Sequence, residues 1–398
     1  MNTLKMTTQE RKDVFALASI MSLRLLGLFM VLPVLALYTH QLIGTTPVLM
    51  GLALGIYGLT QGLFQIPFGM LSDHIGRKPV IAAGLLIFII GSLLCATTHN
   101  MCFFIFGRAL QGAGAIGSTI IATIADVTRE EQRTKAMAIN GITIGFSFAV
   151  AMMVGPLLAQ AFAVPGIFIL ASGLGVAGLW ILSRVVPKLQ KPEFHSDAEL
   201  EVSQLTTILK NTQLARLNFG IFILHAIFAA SFVVIPLDLQ NTWGLTHAQQ
   251  GWIFLPAFFL AFVLSFTFIS IAEKKQQLRL FFLSHIVILC VAEIGLWYAH
   301  SLILSCVSLV LFFEAFSFLE ACLPSWVSRT APKARKGTAL GIYSSSQYLG
   351  FFVGGLIGGY SYGAFSLTSV YGICVMAAGI WIGIAFGLKN PQYASSRR

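Results

Sequence analysis

The chain is 398 residues long, 57% hydrophobic and only 10% charged, with a mean hydropathy of +0.83 and a formal net charge of +10. Soluble domains carry about a quarter charged residues, so this composition excludes a water-soluble body. The positive charge does not point to nucleic acid, because the cations fall in a pattern that membrane topology explains.

Apolar runs of the ~20 residues that a bilayer-crossing helix needs recur along the chain. They predict twelve spans, near 14–38, 48–70, 79–98, 101–124, 136–162, 165–183, 216–238, 250–272, 279–299, 302–326, 338–360 and 365–388. The first run is longer than the ~7–15 apolar residues of a cleavable signal, and no small-residue cleavage site follows it. The predicted class is an all-α polytopic membrane protein.

Of the 25 Lys and Arg residues, only Arg24 and Arg108 lie inside spans, Arg216 and Arg279 standing at the first positions of theirs. The others fall in the termini or in even-numbered loops and their edges, such as Arg77 and Lys78, Arg129 to Lys135, Lys274 to Arg279 and Arg329 to Lys336. The odd-numbered loops have none. By the positive-inside rule both termini are expected to be cytoplasmic. An odd number of spans would have scattered these cations over both faces, so count and orientation support each other. The six cysteines lie in or at the ends of spans without metal-ligand spacing, which fits small packing residues. No metal is expected.

The longest polar stretch, 184–215, contains Pro187 and Pro192 and is read as a linker, with a short surface helix over Glu199–Lys210. It divides a bundle over 1–183 from another over 216–398 that ends in a short cytoplasmic tail. The two sides repeat at an offset of 200: Gly51 falls on Gly251, Asp73 on Glu273, Gly141 on Gly341 and Gly155 on Gly355. "FMVLPVLAL" (29–37) also resembles "FVVIPLDLQ" (232–240). Duplicated six-helix halves are the plan of a secondary transporter with a site between them.

Three motifs make the reading more specific. "GMLSDHIGRKPV" (69–80) joins helices 2 and 3 and carries Gly69, Asp73, Gly76, Arg77 and Lys78. Helix 4 carries "GRALQGAGA" with Arg108 and Gln111, and helix 5 carries "GITIGFSFAVAMMVGPLLA" with Gly145, Gly155 and Pro156. On these motifs the chain resembles the major facilitator superfamily over nearly its whole length. It is most similar there to the YajR-type group of bacterial inner-membrane drug–proton antiporters, also through helix 7, "LNFGIFILHAIFAASFVVIPL". The helix 5 motif departs from the antiporter pattern, with Ala151 and Ala159 where glycines are usual. The resemblance implies an extra soluble C-terminal domain in that group, which this sequence is expected to lack. It also implies that Asp73 faces the N-terminal end of helix 11, that Arg77 pairs with Asp126, and that these contacts lock one state of the transport cycle. The equivalent second loop keeps Glu273 but has Gln277 where Arg77 would be, so the second lock reads as degraded.

An ionisable residue within a span is costly and is a functional hypothesis by default. Arg24, Arg108, His225, Glu314 and Glu320 come from helices 1, 4, 7 and 10, which by the resemblance line a central cavity. Proton coupling needs a group that alternates between wet and dry surroundings. Glu314 is the first choice for the carrier and His225 the second, and Glu320 is placed to extend the relay. The competing reading for Glu314 is an ion pair with Arg24 or another cation; for His225 it is a hydrogen-bonded core histidine. Glu293, in helix 9, is read as a snorkelling or interhelical polar residue. Arg24 and Arg108 are cavity candidates that would either attract an anionic group or tune Glu314. Gln61, Gln65, Gln111 and Gln347 are cavity candidates against plain interhelical hydrogen bonding.

The leading functional expectation is proton-coupled efflux of small amphipathic compounds from the inner membrane, with the proton as coupling ion and no other cofactor. The alternative is uptake of a metabolite by symport or facilitation, which the same fold allows. An enzyme is not expected, because no zinc spacing, nucleophile elbow or phosphate loop is present. The expected partners are a small-molecule substrate, protons and lipid, with the chain acting as a monomer.

Overall fold

In the computed structural model the described residues are 6–187, 210–332 and 336–390. Among them the chain is helical throughout, with one isolated bridge between Ile43 and Asn100 and no strand. Inside hydrocarbon a helix satisfies its own backbone donors and acceptors, which is why such apolar runs adopt it.

The helices are α1 (Thr8–Phe29), α2 (Leu32–Thr39), α3 (Pro47–Ile75), α4 (Arg77–Thr97), α5 (Met101–Ala113), α6 (Gly117–Asp126), α7 (Glu130–Arg184), α8 (Thr212–Trp243), α9 (His247–Lys274), α10 (Leu278–Trp297), α11 (Leu302–Thr330), α12 (Lys336–Ala364) and α13 (Ser369–Ala385). Predicted spans and helices differ in instructive ways. The span at 14–38 is interrupted at Met30–Val31, just before Pro33, which has no N–H to continue the ladder. The span at 101–124 is interrupted at Gly114–Ile116. The spans at 136–162 and 165–183 run together in α7, turned at Ala163 (φ 54°) two residues before Pro165.

Nine helical stretches among the described residues are long and apolar enough to cross a membrane. The prediction of twelve exceeds nine for three reasons. α7 merges two spans, α13 has only 17 residues, and α12 is diluted by glycine and serine.

The ends of the helices follow from local chemistry. Thr7 and Glu10 form a reciprocal capping box at the start of α1. Asn100, Asn211 and Ser301 cap α5, α8 and α11. Gly244 closes α8 in the left-handed conformation, where a Cβ would be strained.

The chain forms two compact units. The first comprises residues 1–45, 56–196 and 246–251; the second comprises 46–55, 197–245 and 252–398. Most of the linker expected over 184–215 lies outside the described residues. The surface helix expected over Glu199–Lys210 lies outside the described residues except at Lys210. The stretches 46–55 and 246–251 group with the opposite unit from their neighbours, and they correspond under the 200-residue offset.

In the first unit α1 packs chiefly on α7, and α4 on α5 and α7. Its core includes Leu17, Ile20, Ile81, Leu85, Ile116, Ile120 and Ile124. In the second unit α8 packs on α12 and α13, and α10 on α11. There the interior is aromatic, with Phe228 4.5 Å from both Phe232 and Phe316 and Phe258 4.6 Å from Phe313, centroid to centroid.

Candidate functional site

The ionisable residues predicted within spans sort into separate networks, each inside one unit. In the first, Tyr57, Gln61 and Gln65 recur every fourth residue on α3 and so share one face. Arg24 of α1 donates to Gln61 Oε1 (2.6 Å) and to the Gln111 carbonyl (3.4 Å). Tyr57 also donates to Gln61 Oε1 (3.2 Å), and Gln61 donates to Gln65 Oε1 (3.0 Å). Arg108 of α5 donates to Gln111 Oε1 (2.7 Å), whose amide donates to Ser92 Oγ (2.8 Å).

Both guanidinium groups are buried, and both lie over the Tyr57 ring at 5.4–5.9 Å. Among the described residues Arg24 has no ion-pair partner, and its Nε and one terminal nitrogen have no hydrogen-bond partner. The first unit therefore holds a buried cation neutralised only by dipoles and aromatic faces. For Glu314, read alternatively as paired with Arg24 or another cation, the contact found is with His285.

Glu314 on α11 accepts from or donates to His285 of α10, Nε2 to Oε1 3.0 Å, and both side chains are buried. His285 Nδ1 faces the Phe281 carbonyl at 2.5 Å, and the ring stacks on Phe318 at 3.6 Å. With Nδ1–H given to that carbonyl, Nε2 either accepts a proton from Glu314 or carries one itself. The pair holds one proton in both forms. The pair is enclosed, and within it Glu314, the expected carrier, is engaged by His285. His285, which sequence reasoning passed over, carried a usable signal: an imidazole in the middle of an apolar run.

A different arrangement surrounds His225. Its Nδ1 faces the Ile221 carbonyl (3.3 Å), and its Nε2 lies 2.9 Å from Gln347 Nε2. The same Gln347 amide donates to Glu320 Oε1 (2.9 Å), while Glu320 Oε2 is 3.8 Å from His225 Nε2. α8, α11 and α12 thus each contribute one side chain to a triad. Two nitrogens can share a hydrogen bond in only one way here. The amide donates and the imidazole Nε2 accepts, which fixes the neutral Nδ1–H tautomer. The Glu320 side chain is 35% exposed, unlike Glu314.

In the 69–80 stretch, Gly76 has φ +100° and makes the turn between α3 and α4. Arg77 is buried there and donates to Asp126 (2.9 Å) and Ser72 (2.6 Å). Arg77 also ion-pairs with Asp73. The Arg77–Asp126 pair is as the motif implied; Asp73, expected to face the N-terminal end of helix 11, engages Arg77 within its own unit. Lys78 donates to the Val186 carbonyl (2.7 Å). A Cβ at Gly69 would make only ordinary contact with Ser118, so close helix approach is not what that glycine secures. In the helix 5 motif, Gly155 lies against the Met30 carbonyl at the α1–α2 break, next to Pro156, whereas Gly145 faces open space.

The second lock is rebuilt, not degraded. Glu273 accepts a two-pronged contact from Arg329 (2.7 and 3.3 Å). A further cation contact was not anticipated: Arg129 donates three times to Glu10, which is already part of the α1 capping box.

The sequence profile of the Major Facilitator Superfamily matches residues 17–232 and again 217–397, once on each half of the chain. The chain belongs to the Major Facilitator Superfamily. It is 40% identical to the inner membrane transport protein YajR of Escherichia coli over all of this chain and 88% of that one. It is 26% identical to the quinolone resistance protein NorA of Staphylococcus aureus, over 96% and 97% of the two chains. The fold matches that of a bacterial homolog of the human lysosomal transporter Spinster, with a TM-score of 0.76 at 14% identity over 98% and 100% of the chains. Superfamily members are membrane transporters for small molecules and not enzymes, so the networks above belong to a transport machine. Their roles have to be argued from their geometry.

Proposed function

We propose that the protein is a proton-coupled secondary transporter of the bacterial inner membrane, with both termini cytoplasmic, that exports small amphipathic compounds by alternating access. The observation that carries this reading is the His225–Gln347–Glu320 triad. Here a neutral imidazole, an amide and the carboxyl of a partly exposed side chain meet across three helices.

Protonation of His225 turns Nε2 from acceptor to donor. It can then no longer receive the Gln347 amide, and Glu320 Oε2, 3.8 Å away, becomes its natural partner. One proton therefore exchanges an amide-mediated contact for a direct ion pair and repositions α12 relative to α8 and α11. That is a two-state element biased by a titratable group. Glu320 is the proton's point of entry, because it alone in the triad combines a carboxyl with exposure. Export is favoured over import by the similarity to a protein named for quinolone resistance.

The test uses inside-out vesicles with an acid interior and a fluorescent amphipathic cation as probe. Export by antiport predicts accumulation that collapses when a protonophore is added. No accumulation there, together with proton-driven uptake into intact cells, would overturn export in favour of symport.

A further inference from the structure

Glu293, placed above as a snorkelling or interhelical residue, does neither in the simple sense. Its side chain is fully buried on α10 and reaches no aqueous surface. It enters no ion pair. Ser231 Oγ of α8 donates to Glu293 Oε1 at 2.7 Å, and Oε2 has no partner at all. Ser231 Oγ also lies 3.6 Å from Cys374 Sγ of α13. With the hydroxyl proton given to Glu293, the Cys374 thiol is left to donate either to Ser231 Oγ or to the Ile227 carbonyl, 4.0 Å away.

The other titratable groups around it are Cys290 on its own helix, Cys374 and Tyr371 on α13, and Asp238 on α8. Tyr371 donates to Asp238 Oδ2 at 3.1 Å, and on α13 it lies one turn from Cys374. Farther along, α11 presents the buried hydroxyls Ser305 and Ser308, and Glu314 is already committed to His285. Every one of these neighbours is neutral or acidic. A fully buried ionised carboxylate with a single hydroxyl donor and no cation beside it is among the most costly groups a protein interior can hold.

We propose that Glu293 is a proton-binding site of the second unit, occupied in this structure and separate from the His225–Gln347–Glu320 triad. The ligand is the proton itself, held on a carboxyl that α8, α10 and α13 enclose. Its carbonyl oxygen is the Ser231-bonded Oε1, and its hydroxyl is Oε2. This site goes beyond the coupling reading and does not depend on it. Proton release from Glu293 requires a state in which Oε2 meets water or a cation, so the site registers opening of the α8–α10–α13 interior.

The experiment is infrared spectroscopy of the full chain in lipid nanodiscs at neutral pH, read in the carbonyl region of protonated carboxylic acids. A band sensitive to deuterium is expected in the parent protein, absent from Glu293→Gln and retained in Glu320→Gln. Ser231→Ala should keep the band and shift it, because only the hydrogen bond to the carbonyl is removed. An identical carbonyl region in parent and Glu293→Gln overturns the proposal. Should Glu293→Gln fail to fold, an unshifted spectrum in Ser231→Ala overturns it equally.

Discussion

The two units bury ionisable side chains of different kinds. The span interiors of the first hold the guanidinium groups of Arg24 and Arg108, set among Gln61, Gln65, Gln111, Tyr57 and Ser92. The second holds Glu293, Glu314 and Glu320 with His225 and His285, and among its described residues no Lys or Arg is buried. The difference teaches which half can do what. Guanidinium groups stay charged at any pH a cell meets, so the first unit presents a fixed cation. Carboxyl and imidazole groups gain and lose protons, so the second can change its charge. The duplicated scaffold thus holds guanidinium groups in one half and titratable carboxyl and imidazole groups in the other.

That comparison can be broken or sharpened by substitution. The largest effect is expected from His285→Ala, which strands Glu314 in a closed interior. Removing one partner of a buried pair costs about 3–5 kcal/mol, visible as a large fall in melting temperature. Replacing both residues with leucine should restore most of it. A small effect of His285→Ala alone would show that the pair is not the enclosed element described here.

Arg24→Met tests the opposite sign. A buried cation without a counter-charge is retained against stability, and replacing buried charges with apolar groups is commonly neutral or stabilising by about 1–4 kcal/mol. The variant should melt no lower than the parent and yet lose transport; a clear drop in melting temperature would make Arg24 a structural residue. Arg77→Ala comes next. Arg77 is buried and serves Asp73, Asp126 and Ser72 at once, and charged hydrogen bonds contribute about 1.5–3 kcal/mol. Its counterpart Arg329→Ala should be the mildest, at about 0–1 kcal/mol, since that pair is one-third exposed. Equal losses from the two arginines would erase the asymmetry between the locks.

Much of this was legible from the residues. The duplicated helical plan followed from apolar run lengths, the placement of cations and the 200-residue repeat. The Arg77–Asp126 contact followed from a motif whose spacing is fixed. Partnership inside the spans did not. Periodicity says which face a residue takes but not which neighbouring helix meets it. Thus Glu314 could not be assigned to His285, nor Glu320 to Gln347 and His225. The Tyr57–Gln61–Gln65 face was readable from its spacing of four, though what it would hold was not. Rebuilding of the second lock was hidden because its cation comes from the end of α11, and not from the position equivalent to Arg77.

In the proposed cycle the variable charge resides at the triad, with Glu320 as its entry point. The most direct measurement compares two assays of Glu320→Gln in inside-out vesicles. One is accumulation of the amphipathic probe driven by an acid interior, and the other is probe exchange at equal pH on both sides. Loss of pH-driven accumulation with exchange retained is the expected result. Normal pH-driven accumulation in Glu320→Gln would contradict the account.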